Sequence, residues 1–288
     1  MIKGMLRTFI RAPTRLLRNY NAAAQLAKLR SHRNETLRAI GEAISESRSN
    51  SVSDEERDMI DAIEQRRSSL LASSKTITVI DYGAASDSTR TKEDMARGVQ
   101  SRARVADVCK ASRQPFWGCL LFKLVRKLKP LSCVELGACV GISASYQAAA
   151  LNINGQGSLI TIEGSPEVAG VAKETIEALN LHDTSVVIGR FIDTLEDVLQ
   201  SARPVDFFFN DGHHDHDAVI EYFNQTVPYL AERAVIVFDD ISWSPGMRKA
   251  WTRIEDDERV SASIDLKKIG IAVLGEGLQT REAFRIHS

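Results

Sequence analysis

The sequence is short of several things. Its 288 residues contain no apolar run near the roughly 18–20 residues that a membrane-spanning helix needs. Its net charge is −1, so bulk charge gives it no pull toward nucleic acid. Four cysteines (Cys109, Cys119, Cys133 and Cys139) form no Cys-x-x-Cys pair. Cys119 and Cys133 sit in apolar stretches, which reads as free buried thiols in a reducing, cytoplasmic setting. There is no internal repeat and no low-complexity segment. With 43% hydrophobic residues, the chain can bury one sizeable core and still carry extra elements.

Acids are missing from residues 1–34, which hold Lys3, Arg7, Arg11, Arg15, Arg18, Lys28, Arg30 and Arg33. The rest of a chain at −1 overall therefore stands at −9. In MIKGMLRTFIRAPTRLLRNY, Met5, Leu6, Phe9 and Ile10 gather on one side of a helix. A transit peptide or a helix lying on a membrane surface over residues 1–20 has this pattern. So does a basic helix packed on the body of the protein, or on a second copy in a homodimer. The continuous apolar core of a secretory signal is absent.

Three regions follow from the patterning. Residues 1–74 read as a helical extension, serving as a cap or an oligomerisation element. Within it Ser53 and Glu56 form a capping box, and Ile60, Ile63, Leu70 and Leu71 share the following helix's face. Residues 75–130 lead into the core: a strand at TITVIDYG (76–83), a helix over about 93–111, then a helix with apolar residues from Trp117 to Leu128 at helical spacing, stopped by Pro130. Residues 131–288 alternate strictly. SCVELG, SLITIEG, TSVVIG, PVDFFFND and AVIVFDD read as strands, each followed by a helix; SASIDL and IGIAVLG are two consecutive strands. Five βα units imply a parallel sheet with helices on both faces, and the last two strands an antiparallel pair. The fold class is therefore α/β, doubly wound and Rossmann-like, with a helical extension at the front.

In such a sheet, ligands sit beyond the carboxyl ends of the strands. The residues there are Glu135, Gly137 and Gly141, then Glu163, Arg190–Phe191, Asn210–Asp211 and Asp239–Asp240. VELGACVGIS is a glycine-containing turn between a strand and a helix, where Gly137 permits a sharp turn and Gly141 a close approach. It is not the dinucleotide pattern Gly-x-Gly-x-x-Gly, because Cys139 stands at the second glycine; this disfavours an NAD-dependent dehydrogenase. Glu163 is suited to accepting both hydroxyls of a ribose. The stretch FNDGHHDHD packs His213, His214 and His216 among three aspartates. It is not the zinc-hydrolase motif His-x-His-x-Asp-His, because Ala218 and Val219 stand where Asp-His would follow. His216 and Asp217 fall at a helix start, where such residues cap or face water. His213 is divided between pocket and surface. Trp243, on a loop, is a candidate substrate-pocket wall, whereas Met247 and Trp251, four apart on a helix, read as core.

ELGACVGIS resembles the first motif of class I S-adenosylmethionine-dependent methyltransferases, above all the catechol O-methyltransferase type, whose frame is ELGAxxGxS. IDYGAASD, WGCLLFKLVRKLKP, IEGSPEVAGVAKE, NDGHHDHDAVIEYF, FDDISWSPGMRKAW and SIDL extend the likeness over roughly 76–286, to an uncharacterised bacterial class I methyltransferase family. Residues 1–70 carry no such likeness. The resemblance implies a seven-stranded sheet ending in the antiparallel pair. It implies that Glu135, Gly137, Gly141 and Ser143 hold the methionine part of S-adenosylmethionine, that Glu163 holds the ribose, and that Arg190 and Phe191 border the adenine. It also implies that Asp211, Asp239 and Asp240 bind Mg²⁺, and that the base lies three residues past Asp211, at His214. Two departures stand out: Asp240 replaces an asparagine, as in related sugar O-methyltransferases, and His214 replaces a lysine.

The chemistry has a use for these types. A hydroxyl is a poor nucleophile until it loses its proton. A histidine, with an ordinary pKa of about 6.5, can take it near neutrality. A divalent cation on three carboxylates can lower the hydroxyl's pKa instead; oxygen ligands favour Mg²⁺, Mn²⁺ or Ca²⁺ over zinc. The expected activity is methyl transfer to a hydroxyl of a small-molecule acceptor, with Asp211 and His214 as catalytic residues and Trp243 and His213 toward the substrate. A methyltransferase-like protein that binds S-adenosylmethionine without catalysis, and a metal-independent N-methyltransferase, remain alternatives.

Overall fold

The computed structural model describes residues 20–83, 91–112, 114–275 and 280–287. The basic segment 1–19, and with it the transit-peptide and membrane-surface readings, lies outside them. No helix among the described residues is long and apolar enough to cross a membrane.

The front of the chain is helical. Helix α1 spans 20–30, α2 Glu35–Ser49 and α3 Asp54–Leu71. Asn34 caps α2 by accepting from the Leu37 amide, and α3 begins at the expected capping box of Ser53 and Glu56. Strand β1, Thr76–Asp81, then pairs antiparallel with β2, Val99–Arg104, in a two-stranded ribbon apart from the main sheet. This corrects the single helix expected over 93–111. Helix α4, Lys92–Arg97, stops at Gly98, whose φ is +80°, and a short α5, Val105–Cys109, begins only after β2. A side chain at 98 would meet Ile80 and the Tyr82 ring, so this turn takes a residue without a Cβ. Helix α6, Pro115–Leu128, follows; its proline at the first turn and left-handed Lys129 at the end mark the boundaries.

The main sheet has eight strands: β3 Ser132–Leu136, β4 Ser158–Glu163, β5 Thr184–Ile188, β6 Val205–Asn210, β7 Leu230–Phe238, β8 Val260–Asp265, β9 Gly270–Leu274 and β10 Glu282–Arg285. Their spatial order is β10-β8-β9-β7-β6-β3-β4-β5. Strand β9 is antiparallel to both β7 and β8, and every other pairing is parallel. The antiparallel pair is thus as expected, but an eighth strand follows it. Strand β10 is only four residues, with charged Glu282 and Arg285 at its ends, and what fixes it is burial of Phe284 and the following Ile286.

Helices cover both faces. Leu136, Phe208, Ile236 and Phe238 point to the face covered by α9 (Phe191–Ala202), α10 (His216–Thr226) and α11 (Pro245–Glu255). Cys133, Phe207, Phe209, Val235 and Val237 point to the other, under α7 (Ile142–Asn154) and α8 (Pro166–Ala178). That second core continues into the front of the chain: Leu29, Leu37, Ile40 and Ile63 are fully buried in it. Helix α2 packs on α6, and α6 on α7. Across this seam the buried Lys123 ammonium lies 2.7 Å from Glu56 and 3.0 Å from Glu46, so a charge taken out of water is held by two carboxylates.

Candidate functional site

The register of the parallel strands builds the site. Leu136 of β3 pairs with Ile162 of β4 and with Asn210 of β6, and Asn210 with Phe238 of β7. The next residue on each strand is therefore in one row: Gly137, Glu163, Asp211 and Asp239. Backbone bonds continue the row past the sheet. Gly137 N–H donates to Ile162, Asp211 N–H to Leu136 and Asp239 N–H to Asn210, at 3.0 Å each. Four strand ends carry three carboxylates and one residue with no side chain.

Gly137 is obligatory here. Its φ is +94°, and a Cβ would collide with the Asp211 carbonyl. The turn from β3 to α7 thus comes close over the end of β6. Cys139 also adopts a left-handed conformation, and Glu163 steadies it: one carboxylate oxygen accepts from the Cys139 amide, the other from Ser165, both at 2.9 Å. Burial raises the Glu163 pKa against those amide bonds. Each oxygen keeps a second lone pair for a ligand.

Glu135 is different. It has no exposed surface, and its oxygens accept from Thr161 at 2.6 Å and Gln147 at 2.9 Å. Burial pushes its pKa up to about 7, with the Asp211 charge acting in the same direction and the Thr161, Ser143 and Gln147 bonds opposing. Its connections run inward to α7, where Ser143 and Gln147 sit, and it has no face from which to touch a ligand directly.

The stretch 209–217 splits in three directions. His214 turns toward the row: its Nε2 lies 3.8 Å from Asp211 and 3.5 Å from Asp240. One donor atom each from Asp211, His214 and Asp239 fall within 4.8 Å of one another, a set able to hold a metal ion. The expected trio contained Asp240 in place of His214. Asp240 instead takes a left-handed backbone and lies 3.5 Å from the Lys268 ammonium. The exposed Trp243 ring stands 5.9 Å from His214, at the mouth.

His213 turns the other way. Its Nδ1 is 2.7 Å from the Tyr222 hydroxyl, and its ring meets Phe191 edge-on at 5.3 Å. Burial lowers its pKa. Phe191 is itself 9% exposed and packs where a side chain on Gly212 would be. Arg190, which starts α9, is engaged with Asp193 at 2.5 and 2.8 Å. His216 and Asp217 face outward, 2.8 Å from each other, while Asp215 caps α10 through the Asp217 and Ala218 amides.

Tyr82 was not foreseen. It directly follows β1, and its ring lies between Gly98 and Gly164; a Cβ on Gly164 would come within 2.8 Å of it. Gly164 directly follows Glu163, so the front ribbon reaches the same strand ends as the row. The signal available in the sequence was the pair of glycines, which only the fold brings together.

A methyltransferase-domain family model matches residues 134–241, from β3 through the Asp239–Asp240 pair to Ile241. Over this stretch the chain is similar to class I methyltransferases. No curated protein matches the sequence. Among solved structures, the chain is similar to the O-methyltransferase from Bacillus cereus in complex with SAH, at 25% identity and a TM-score of 0.50, over 59% of this chain and 85% of that one. It shares its fold with the SAH-bound methyltransferase of Podospora anserina, at 15% identity and a TM-score of 0.51, over 58% and 81%. The same is true of the cofactor-bound protein Rv0187 from MTB, at 20% and 0.50, over 58% and 84%.

Proposed function

We propose that this methyltransferase moves a methyl group from S-adenosylmethionine to a hydroxyl oxygen of a small molecule. The observation that carries the proposal is the row at the strand ends: a turn stripped of side chains at Gly137, a carboxylate at Glu163, and the Asp211, His214 and Asp239 donors within 4.8 Å of one another. The solved relative from Bacillus cereus is an O-methyltransferase with SAH bound, which supports the same cofactor and acceptor atom.

S-adenosylmethionine, when bound, supplies the methyl group on a positively charged sulfur. The residues fit it. The turn from Gly137 to Gly141 and Ser143 lines the methionine side, Glu163 accepts from the ribose hydroxyls, and Arg190, Phe191 and Tyr82 border the base. Glu135 contributes by fixing Thr161 and the first turns of α7. His214 takes the proton from the acceptor hydroxyl, and the nearby Asp211 and Asp240 carboxylates favour the imidazolium it becomes. Trp243 forms a wall for the acceptor.

The donor set also fits a divalent cation. Asp211, His214 and Asp239 would hold it, and it would supply Lewis acidity that lowers the hydroxyl's pKa. An imidazole among two carboxylates favours Mn²⁺ over Mg²⁺. His214 cannot be both ligand and base, so the two readings separate experimentally. Calorimetric titration of S-adenosylhomocysteine, followed by an acceptor screen, is run with Mn²⁺, with Mg²⁺ and with EDTA. Binding together with turnover of a hydroxyl acceptor is the expected result. No S-adenosylhomocysteine binding in any condition refutes the proposal. A rate unmoved by EDTA leaves His214 as the base alone.

A further inference from the structure

Beside the catalytic row lies a second recess, of about 150 Å³. Its walls are Phe116 and Trp117 at the start of α6, with ring centroids 4.8 Å apart, and Leu266 after β8. Its rim carries three cations from two parts of the chain: Arg48 at the end of α2, and Lys267 and Lys268 in the turn between β8 and β9. Among the described residues, no carboxylate lines it.

Topology puts this recess at the catalytic edge. Strands β7 and β8 are both antiparallel to β9, so they run parallel to each other. The end of β8 therefore opens on the same side as Asp239 and Asp240. Two contacts join the places: the Lys268 ammonium is 3.5 Å from Asp240, and the Lys268 carbonyl accepts from the Ile241 amide at 3.0 Å. Lys268 thus joins the recess to the residues that directly follow Asp239.

Charge decides what the recess takes. Among the described residues, Arg48 and Lys267 pair with no carboxylate; the Arg48 guanidinium donates to the Ile286 carbonyl at 3.0 Å. Lysines on open surface mean little. Three cations converging on an aromatic-walled hollow, in a chain of net charge −1, are a different matter. An anion enters an apolar hollow only when it is paired there, and the exposed Phe116 ring gains from being covered. The volume is below the roughly 300 Å³ at which drug-sized sites begin, so the occupant is about one ring with a short substituent.

Building on the hydroxyl-transfer reading above, we infer that this recess selects acceptors bearing an anionic group, with a carboxylate at Arg48 and Lys267 and an apolar ring against Phe116 and Trp117. The acceptor is thereby an acidic aromatic or similarly compact hydroxy acid, its hydroxyl directed past Lys268 toward His214.

The test uses the full chain saturated with S-adenosylhomocysteine and a matched pair of probes, 4-hydroxybenzoate and 4-hydroxybenzamide, in a calorimetric titration. The acid is expected to bind at least about tenfold more tightly than the amide. In the double variant Arg48→Gln with Lys267→Gln, that preference should vanish while S-adenosylhomocysteine affinity is unchanged. Equal binding of acid and amide, binding of neither, or a preference that survives in the variant overturns the inference. The two readings fail separately. If the acid is preferred but no hydroxyl is ever methylated, the hydroxyl-transfer reading falls and the anion recess stands. If hydroxyl acceptors turn over with no regard to charge, the recess assignment falls alone.

Discussion

Replacing Glu135 by glutamine is expected to change how stability depends on pH. Glu135 is fully buried, and burial lifts its pKa from the ordinary 4.5 to about 7. The folded value is above the unfolded one. Its contribution is therefore complete below pH 4.5 and is lost as pH rises through about 7, because the folded state must then carry a buried charge. The gap corresponds to about 3 kcal/mol at alkaline pH, and to about 2.5 kcal/mol between pH 5 and 8.5. Glutamine keeps the shape and cannot ionise. One of its atoms must donate where the carboxylate accepts, against Thr161 or Gln147, at a cost of about 1–3 kcal/mol that does not vary with pH. The sign of the mutational effect at any single pH is thus less telling than its slope. Urea unfolding of both proteins at intervals from pH 5 to 8.5 reads it directly. The stability of Glu135→Gln relative to the parent should climb by about 2.5 kcal/mol across that range and level off above 8. A difference that is flat or falls with pH refutes the reasoning: Glu135 would then ionise in the fold without penalty, and its burial would not govern its charge.

Gly137→Ala must place a Cβ against the Asp211 carbonyl at a φ of +94°, so it should cost about 2 kcal/mol or more in thermal unfolding and abolish S-adenosylhomocysteine binding by calorimetry. His214→Asn should lower kcat by about 10²–10⁴ while S-adenosylhomocysteine affinity holds; an equal loss in both would assign His214 to cofactor binding. Asp239→Asn should abolish Mn²⁺ binding followed by electron paramagnetic resonance, with the fold intact by circular dichroism. His213 has its pKa lowered by burial, so its contribution is present above 6.5 and is lost as pH falls below it; His213→Phe should flatten the acid side of the stability profile between pH 7 and 5.

Most of the fold could be read from alternation alone. Five βα units and a final strand pair are long, strongly periodic segments, and periodicity of that kind survives tertiary context. The errors fell where a local signal was weak or two-sided. VQSRAR at 99–104 reads as helix because its residues are polar and helix-tolerant; only pairing with TITVID makes it a strand. EAFR has a single large apolar residue, and no window that short distinguishes a strand from a tail. The front helices were legible as helices, but not their burial. Leu37 and Ile40 lie in the same core as Phe207 and Val235, and that fact depends on where α6 and α7 lie.

The site was legible to the extent that strand ends predict it, and no further. Asp211, Asp239 and Glu163 could be picked out because each closes an apolar strand, and the register then aligns them without further information. Side-chain direction could not be read. Within four residues His213 packs inward on Phe191 and Tyr222, His214 faces the carboxylates, and His216 faces water beside Asp217. Three like residues acquire three environments because the chain leaves β6 in an irregular turn, with Gly212 set against Phe191, before Asp215 starts α10. A turn has no period, so composition there cannot say which imidazole points where. That same turn also explains the exchange within the candidate metal set. The histidine three residues past Asp211 brings a ring nitrogen to the carboxylates themselves, and the left-handed Asp240 lies 3.5 Å from both that ring and the Lys268 ammonium, which joins the candidate row to the cationic recess.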